Sequence, residues 1–391
     1  MDPRTGLPVV GMVGAGQLAR MTHQAAIALG QSLRIMAAAP DDGAALVAGD
    51  VVVGDHRSLA DLRAFARGCD VLTFDHEHVP SEHIAALEAD AVNVQPSSVA
   101  LRHAQDKRAM RERLTALGVP CPRWAPVETA ADLEAFGAEG GWPVVLKAAR
   151  GGYDGKGVWV VRSTDDAAEV LASGTPLIVE GQVRIVRELA ADIARSPYGQ
   201  GAARPVVETV QRDGICVEVI APAPDLSDDL AEEAQALALR IARELGVTGV
   251  LAVELFETAD GLLVNELAMR PHNSAHWTIE GARTSQFEQH LRAVLDYPLG
   301  ATTPTAPVVV MANLLGGPDG VVPKALDERV HHLMARWPDV KIHLYGKGFR
   351  PGRKVGHVTA LGRDLATVRQ RAKAAADYLS LGDRAEVDAH G

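Results

Sequence analysis

The residues best suited to phosphate chemistry lie in a glycine-rich loop before the middle of the chain. The segment GGYDGKG at 151–157 holds four glycines in seven residues, which lets backbone amides approach phosphate oxygens closely. Lys147 precedes this loop and Lys156 lies within it, so two ammonium groups can reach a nucleotide. The G-K-[ST] ending of a Walker loop is absent. A flexible surface hairpin is the alternative interpretation.

Two carboxylates follow at a spacing that fits metal binding. Glu254 and Glu266 are symmetric about Asp260-Gly261, a strong signal for a hairpin turn. In such a hairpin the two side chains can lie side by side on one face, where they would repel each other without a cation between them. Carboxylate and phosphate oxygens suit Mg²⁺, and Asn265 can add another oxygen. Solvated acidic side chains are the alternative.

A polar segment comes directly after this hairpin. Arg270, His272 and Asn273 stand within four residues. Arginine offers a bidentate fork to an oxyanion such as carbonate or phosphate, and His272 can serve as an acid, a base or a hydrogen-bond donor. The alternative is a solvated loop.

A basic segment lies near the end of the chain. Lys347, Arg350, Arg353 and Lys354 place four cations in eight residues of an acidic protein. Such a cluster predicts a binding site for one phosphate group, with a basic surface turn as the alternative.

A second glycine motif stands near the N-terminus. Residues 14–19 (GAGQLA) fit the G-x-G-x-x-G/A pattern of dinucleotide-binding proteins. The acidic residue expected at the end of the second strand is missing, because LRIMAAAP ends in alanines. Two interpretations remain besides NAD binding: a tight turn without a ligand, and a helix N-terminus that holds one phosphate or ribose.

These residues need elements to position them. Alternating strands and helices at the N-terminus predict a parallel sheet covered by helices. The predicted strands are 8–14, 33–38, 50–53 and 70–74, and the helices are 17–29, 58–67 and 81–88. Further along, we predict helices at 105–117, 227–245 and 364–379, a hairpin of 143–149 with 157–161, a strand at 175–183, and strands in 307–315 and 340–345. Residues 301–310, rich in Pro and Thr, predict a domain boundary.

Composition limits the function classes. The 391 residues are 47% hydrophobic and 23% charged, with a net charge of −11, so we expect a globular protein of two or three domains that does not bind nucleic acid. We expect no membrane span, because no apolar run approaches about 20 residues. The start lacks the features of a signal peptide, and the three scattered cysteines suit a reducing cytoplasm.

Together the motifs resemble the ATP-grasp superfamily, and within it the N5-carboxyaminoimidazole ribonucleotide synthases of purine biosynthesis. The similar segments span nearly the whole chain: GxGQLxRM at 14–21, GGYDGKG at 151–157, NEL-x-x-R-x-HNS-x-HWT at 265–278, SQFEQHLRA at 285–293 and RPGRKxGH at 350–357. The resemblance implies an α/β (α+β) three-domain fold. Its parts would be a Rossmann-like parallel sheet (1–104), an ATP-grasp domain (105–300, lid about 120–185) and a small C-terminal domain that completes the substrate site (301–391).

The resemblance also implies a reaction and its residues. The chain would be a ligase that uses ATP, Mg²⁺ and bicarbonate to carboxylate aminoimidazole ribonucleotide through carboxyphosphate, as a cytoplasmic homodimer. ATP contacts would come from His103, Lys107, Lys147, Gly152, Tyr153, Asp154, Gly155, Lys156, Gly157, Val158, Glu180, Gly181, Gln182, Val183, Glu188, Gln211, Asn265 and Glu266. Glu254 and Glu266 would hold Mg²⁺. Gln17, Lys347, Arg353 and Lys354 would bind the ribonucleotide, and the catalytic set would be Tyr153, Asp154, Arg270, His272 and Asn273.

The sequence departs from the family pattern at a few positions and leaves rivals open. Ala19 and Ala275 stand where the family usually has Gly, Met269 where it has Pro, and His103 and Gln211 where a relative has Arg and His. The rivals are another ATP-grasp ligase, such as formate-dependent glycinamide ribonucleotide transformylase, an NAD-dependent dehydrogenase, and a non-catalytic nucleotide sensor.

Overall fold

The computed structural model describes residues 1–152, 155–317 and 326–381. The first part is a parallel sheet in the order β3-β2-β1-β4, as the alternating pattern predicts. Its strands are β1 (Val9–Val13), β2 (Ser32–Ala37), β3 (Val51–Val53) and β4 (Val71–Phe74), and its helices are α1 (Gln17–Ala28), α2 (Leu59–Ala66) and α3 (Ser81–Ala89). Helices on both sides bury β1, so its apolar residues need no polar alternation.

The helix predicted at about 105–117 is confirmed, although it starts two residues later, at Lys107, and a helix that was not predicted precedes it. Two helices stand there, α4 (Ser98–Gln105) and α5 (Lys107–Ala116), with Asp106 between them. Asp106 has extended backbone angles, and its carboxylate accepts a hydrogen bond from Ala109 N at 3.0 Å. An aspartate in this capping position starts a new helix instead of continuing the old one.

A separate antiparallel sheet follows, in the order β5-β8-β6-β7. It has its own apolar core, which includes Leu146, Val179 and Phe136. The predicted hairpin is confirmed, because β6 and β7 pair directly around the glycine loop. The elements are β5 (Trp124–Val127), α6 (Ala130–Gly140), β6 (Val144–Ala148), β7 (Val158–Val161), α7 (Ala168–Ala172) and β8 (Leu177–Gly181).

The rest of the described chain builds around one large antiparallel sheet. Its order is β14-β13-β9-β11-β12-β15-β17-β16, with β10 paired to β9. The strands are β9 (Arg187–Arg195), β10 (Gly201–Ala203), β11 (Val207–Arg212), β12 (Ile215–Ala221), β13 (Gly249–Thr258), β14 (Gly261–Ala268), β15 (Val308–Leu315), β16 (Lys341–Leu344) and β17 (Lys354–Gly362). The helices are α8 (Asp228–Glu244), α9 (Thr278–Gly281), α10 (Gln286–Val294), α11 (Leu326–Arg336) and α12 (Leu365–Leu381).

This sheet crosses the predicted boundary at 301–310. Strand β12, which precedes the boundary, pairs with β15, which follows it. The C-terminal part therefore shares its hydrogen bonding with the central part. The three-domain division stays a prediction.

The N-terminal sheet is fixed to the large sheet through α10. Leu291 and Val294 of this helix belong to the same apolar core as Val10 and Met12 of β1. A buried hydrogen bond of 2.7 Å also joins Thr73 Oγ1 and His290 Nε2. Of the helices in the described ranges, none is long and apolar enough to cross a membrane.

Candidate active site

The acidic pair lies where the hairpin pattern predicts it. Glu254 of β13 is directly opposite Glu266 of β14, and the pairing register shifts between Glu254 and Leu255. Burial, followed by the charge of Glu266, raises the pKa of Glu254 to about 7. Two facing carboxylates that are each about two-thirds buried favour a bound proton or cation between them.

The register shift explains why Asn265 also faces the cleft. Val264 and Glu266 pair with consecutive residues of β13, which leaves Asn265 as an extra residue in a β-bulge. In a regular strand, adjacent side chains point to opposite faces, and a bulge redirects one of them. The Asn265 amide lies 3.3 Å from Glu254 Oε2 and accepts a 3.0 Å hydrogen bond from Lys147 Nζ.

The two lysines predicted to bind phosphate each form an ion pair with a glutamate. Lys107, the first residue of α5, forms an ion pair with Glu266. Lys147 at the end of β6 lies 2.7 Å from Glu180 Oε2. The structure thus brings together cations from two elements and acids from two more, at the junction of the small and large sheets.

Arg111 is a site residue that sequence reasoning missed. It is fully buried, and it donates to Glu180 Oε1 at 2.7 Å and to the carbonyl oxygens of Val264 and Asn265 at 3.0 and 2.7 Å. Burial alone would raise the pKa of Glu180, but Lys147 and Arg111 outweigh it and lower that pKa. The available signal was spacing: Arg111 lies on the same helical face as Lys107 and Leu114.

The adenine segment lies at the end of the small sheet. Glu180 is in β8 between β5 and β6, and Gly181 N donates to Arg123 O at 2.8 Å. Gln182 and Val183 belong to the connection that leads to β9. The Glu180 side chain serves the buried ion network, and adenine binding by this segment stays a prediction.

Glu188 and Gln211 are neighbours on the large sheet. Their side chains form a hydrogen bond, which opposes the rise that burial causes in the pKa of Glu188. Glu188 lies near the acidic pair, since its charge helps to raise the pKa of Glu254. His103 is different. Its ring lies 3.3 Å from Ala100 O on its own helix, and none of its described contacts involves the lysines or acids of the cleft.

The glycine loop reaches from the small sheet toward the large one. Three of its glycines, Gly151, Gly155 and Gly157, have positive φ angles between 74° and 77°. A Cβ on Gly155 would lie 3.2 Å from the Cα of Gly214, in the turn between β11 and β12. Val158 begins β7 opposite Lys147. Gly152 and Lys156 are described, whereas the predicted Tyr153 and Asp154 lie outside the described residues.

The segment after the hairpin connects the acidic pair to the N-terminal part and to β15. Arg270 forms a 3.2 Å ion pair with Glu77, a residue of the N-terminal part that sequence reasoning missed. The Asn273 amide exchanges two hydrogen bonds with Asn313 of β15, of 3.0 and 2.7 Å. His272 Nε2 lies 3.4 Å from Glu254 Oε1. Burial, aided by nearby cations, holds the pKa of His272 well below its ordinary value, which favours the neutral ring.

The predicted basic cluster brings the C-terminal part of the chain into contact with the N-terminal part. Lys347 Nζ donates to Gln17 Oε1 across 330 residues of sequence. Arg353 donates to Gly348 O at 3.1 Å. The Lys354 ammonium lies near enough to Glu254 and His272 to lower both pKa values. Lys354 therefore stands nearer the acidic end than the predicted phosphate cluster implies.

The N-terminal glycine motif binds a side chain of the protein itself. Gly16 N donates to Asp75 Oδ2 at 2.6 Å, and Ala19 N lies 3.4 Å from the same oxygen. A Cβ on Gly14 would collide with the Asp75 carboxylate. Asp75 thus accepts from two of the amide donors that a phosphate or dinucleotide could use, and a phosphate or ribose at this helix N-terminus stays a prediction.

Metal binding would need oxygens beyond the protein. In residues 1–152, 155–317 and 326–381, no three or more His, Cys, Asp or Glu side chains are grouped to hold a metal ion. Two carboxylates and one amide fit Mg²⁺ when phosphate oxygens complete the shell. The donor set therefore suits a metal that arrives with a nucleotide.

Comparisons with known proteins agree with this site. Family models match residues 7–105 (ribonucleotide synthetase preATP-grasp domain), 112–287 (ATP-grasp domain) and 309–371 (phosphoribosylaminoimidazole carboxylase C-terminal domain). The N5-carboxyaminoimidazole ribonucleotide synthase of Mycobacterium tuberculosis is 62% identical, over 96% of this chain and 88% of that protein.

Solved structures give the same result. The synthetase of this name from Thermus thermophilus superposes with a TM-score of 0.85 at 38% identity, covering 95% of this chain and 98% of that one. The synthase from Aspergillus clavatus, solved in complex with ADP and 5-aminoimidazole ribonucleotide, has a TM-score of 0.86 at 32% identity, with 95% and 98% coverage. The chain belongs to the N5-carboxyaminoimidazole ribonucleotide synthase family of ATP-grasp enzymes.

Proposed function

We propose how the residues of this cleft divide the work of the family reaction, the ATP-dependent carboxylation of 5-aminoimidazole ribonucleotide to N5-carboxyaminoimidazole ribonucleotide in purine biosynthesis. One observation carries the proposal. Glu266, which faces Glu254, pairs with Lys107, and the adjacent Asn265 accepts a hydrogen bond from Lys147; Lys354 acts electrostatically on Glu254, and nearby in sequence Lys347 donates to Gln17. An acidic end and a basic end suit a nucleotide with its cation and a second phosphorylated substrate.

ATP would bind at the acidic end. Lys107 and Lys147 now pair with Glu266 and Glu180, and phosphate oxygens would compete for both ammonium groups. Glu254, Glu266 and Asn265 would hold Mg²⁺, which lowers the barrier by neutralising charge on the transferring phosphoryl group. The loop 151–157 would cover the phosphates, and Glu188 would bind the ribose.

The ribonucleotide would bind at the basic end. Gln17, Lys347, Arg353 and Lys354 would hold its 5′-phosphate, because a phosphate gains charge-assisted hydrogen bonds from such groups. Support comes from the Aspergillus relative, whose structure contains 5-aminoimidazole ribonucleotide. The loop residues Tyr153 and Asp154 would face this substrate, with Asp154 handling the amine proton.

Bicarbonate would lie between the two ends. Arg270 would neutralise its charge, while His272 and Asn273 would orient it. Bicarbonate is a poor electrophile, and phosphorylation by ATP converts it to carboxyphosphate, which the amine can attack. Water must be kept out during this step, and closure of the glycine loop would do so. We further propose a homodimer that works in the cytoplasm.

A coupled ADP-release assay tests the function. The full chain should release ADP only when Mg²⁺, aminoimidazole ribonucleotide and bicarbonate are all present. Glycinamide ribonucleotide with formate serves as the competing substrate pair. ADP release that depends on this second pair, and not on the first, would overturn the proposal.

A further inference from the structure

His272 is held at its backbone by one side chain. Gln286, at the start of α10, accepts a hydrogen bond from His272 N at 2.7 Å and donates to His272 O at 2.8 Å. Both backbone polar groups of His272 are thus fixed by a buried amide. What remains to be set is the orientation of the ring and the position of its proton.

The ring contacts a hydroxyl that leads to a buried acid. His272 Nδ1 lies 2.9 Å from Ser274 Oγ, and Ser274 Oγ lies 3.0 and 3.2 Å from the two carboxylate oxygens of Asp192. Ser274 is 1% exposed and Asp192 is 5% exposed. The three side chains form a continuous path from the cleft into the large sheet.

Asp192 has few other sources of stabilisation. Among the described residues, Ser274 is the only side chain that donates a hydrogen bond to its carboxylate. Buried Arg204 attracts Asp192 electrostatically but donates its own hydrogen bond to Thr284 O at 2.8 Å. A buried carboxylate with a single hydroxyl donor is costly for a fold to keep. Asp192 contacts His272 through Ser274, so a functional role would explain why the fold keeps this unfavourable carboxylate.

The path also determines where the imidazole proton lies. Burial raises the pKa of Asp192 to about 6, so the carboxylate is mostly ionised at neutral pH and can only accept hydrogen bonds. Ser274 must then donate its proton to Asp192. The 2.9 Å contact between Ser274 Oγ and His272 requires a proton from Nδ1–H. The backbone N–H of Ser274 also donates to Nδ1, which by itself would favour the opposite tautomer, but at 3.4 Å it is the longer and weaker of the two contacts at this nitrogen.

We infer that Asp192 and Ser274 are positioning residues that hold His272 as the Nδ1-protonated tautomer, so that its unprotonated Nε2 faces the cleft as a hydrogen-bond acceptor. The inference deepens the proposed function, since the donor that meets Nε2 is then the hydroxyl of bicarbonate. The orientation fits the 3.4 Å between Nε2 and Glu254 Oε1, which is longer than a good N–H···O hydrogen bond.

Nuclear magnetic resonance of the full chain with ¹⁵N-labelled histidine tests the tautomer directly, because couplings between ring nitrogens and ring protons report which nitrogen carries hydrogen. The His272→Gln variant assigns the signal. We expect the Nδ1–H form in the wild type and a shift toward the Nε2–H form in Ser274→Ala. An Nε2–H tautomer in the wild type would overturn the inference, whether or not any variant folds.

Steady-state kinetics give the second measurement. Ser274→Ala and Asp192→Asn should each lower kcat by about 10- to 100-fold, the scale of losing a group that orients a site ligand. The KM for ATP and for the ribonucleotide should stay close to wild type. Ser98→Ala is the matched control, because Ser98 is a buried serine that donates to the Glu88 carboxylate at 2.5 Å outside the cleft.

The two proposals fail in different ways. A wild-type chain that does not turn over aminoimidazole ribonucleotide with bicarbonate refutes the proposed function, whatever its tautomer. An active wild type whose Ser274→Ala and Asp192→Asn variants match the Ser98→Ala control refutes the role of Asp192 and Ser274 alone.

Discussion

The two ends of the cleft are built in different ways. The acidic end comes from one hairpin, in which Glu254 and Glu266 are twelve residues apart and directly paired. The basic end joins Gln17, at the start of a helix in the N-terminal part, to Lys347 in the C-terminal part. Local pairing fixes the first, and the packing of distant elements fixes the second.

The difference predicts how substitutions at each end will affect the site. At the acidic end the strand backbones hold the two carboxylates in register, so a substitution there changes chemistry more than geometry. At the basic end, Lys347 reaches Gln17 only if both parts keep their relative positions. Asp75 beneath the helix that starts at Gln17 is one of the contacts that set this position. Substitutions near it should therefore change geometry first.

The largest effect should come from the acidic end. Glu266→Gln removes a charge from the proposed metal site and should lower kcat by about 100- to 1,000-fold, as losing one preorganised electrostatic group does, with little change in Tm. Steady-state kinetics and circular dichroism measure both quantities. Glu233→Gln on the exposed side of α8 is the control. Activity equal to that of the control would remove Glu266 from the site.

A smaller effect is expected at the basic end. Lys347→Met should raise the KM for the ribonucleotide by about 10- to 100-fold, because a charge-assisted hydrogen bond contributes about 1.5–3 kcal/mol. The KM for ATP should change much less, which would separate the two ends kinetically. Lys341→Met, at an exposed position of β16, is the control. Equal increases in both KM values would contradict the separation.

A geometric test concerns the turn beneath Gln17. Gly14→Ala should destabilise the protein by about 1–3 kcal/mol, the usual cost of overpacking, because its Cβ would collide with the Asp75 carboxylate and its φ is +107°. Thermal unfolding gives the change. Gly174→Ala is a matched control with φ of +69° and open space around a Cβ, so it reports the cost of positive φ alone. Equal losses in the two variants would show that the Asp75 contact is unimportant.

The last effect is a pH dependence of stability behind the acidic end. Burial raises the pKa of Asp192 from 3.8 to about 6, so this group stabilises the folded state fully below pH 3.8 and loses that contribution as the pH rises through about 6. The stability of the wild type relative to Asp192→Asn should therefore fall between about pH 4 and 7, at up to about 1.4 kcal/mol per pH unit.

Denaturant unfolding at several pH values measures this difference, and Asp260→Asn in the exposed hairpin turn is the control. A relative stability of Asp192→Asn that does not change with pH would mean that the Asp192 carboxylate keeps an ordinary pKa.

Features that depend on near neighbours in sequence were predictable. The pairing of Glu254 with Glu266 followed from the Asp260-Gly261 turn, and the hairpin around the glycine loop followed from two short apolar runs. The bulge at Asn265 was not, because sequence spacing does not reveal an extra residue in a strand. The helix α4 was not predicted, and the capping aspartate at 106, which begins the next helix, was not used to set the predicted start at about 105.

Residues that act through distant partners were not found from the sequence. Arg111, Glu77, Asp75 and Asp192 are ordinary charged residues in the sequence, yet each is fixed by elements far away along the chain. Lys347 was singled out in the basic cluster and Gln17 lies in the glycine motif, but only the resemblance to a known family assigned both to one substrate. No local pattern gives their contact.

The sequence by itself determined the chemistry of this protein: glycines and lysines for phosphate, paired carboxylates for a cation, and a cationic cluster for a second phosphate. Residue type and short spacing fix those properties. Only the tertiary structure decided which of these groups lie together, and that Asp75 accepts a hydrogen bond from the backbone at the start of the N-terminal helix. The reason is that hydrogen bonding and burial at these sites depend on packing between elements up to 330 residues apart.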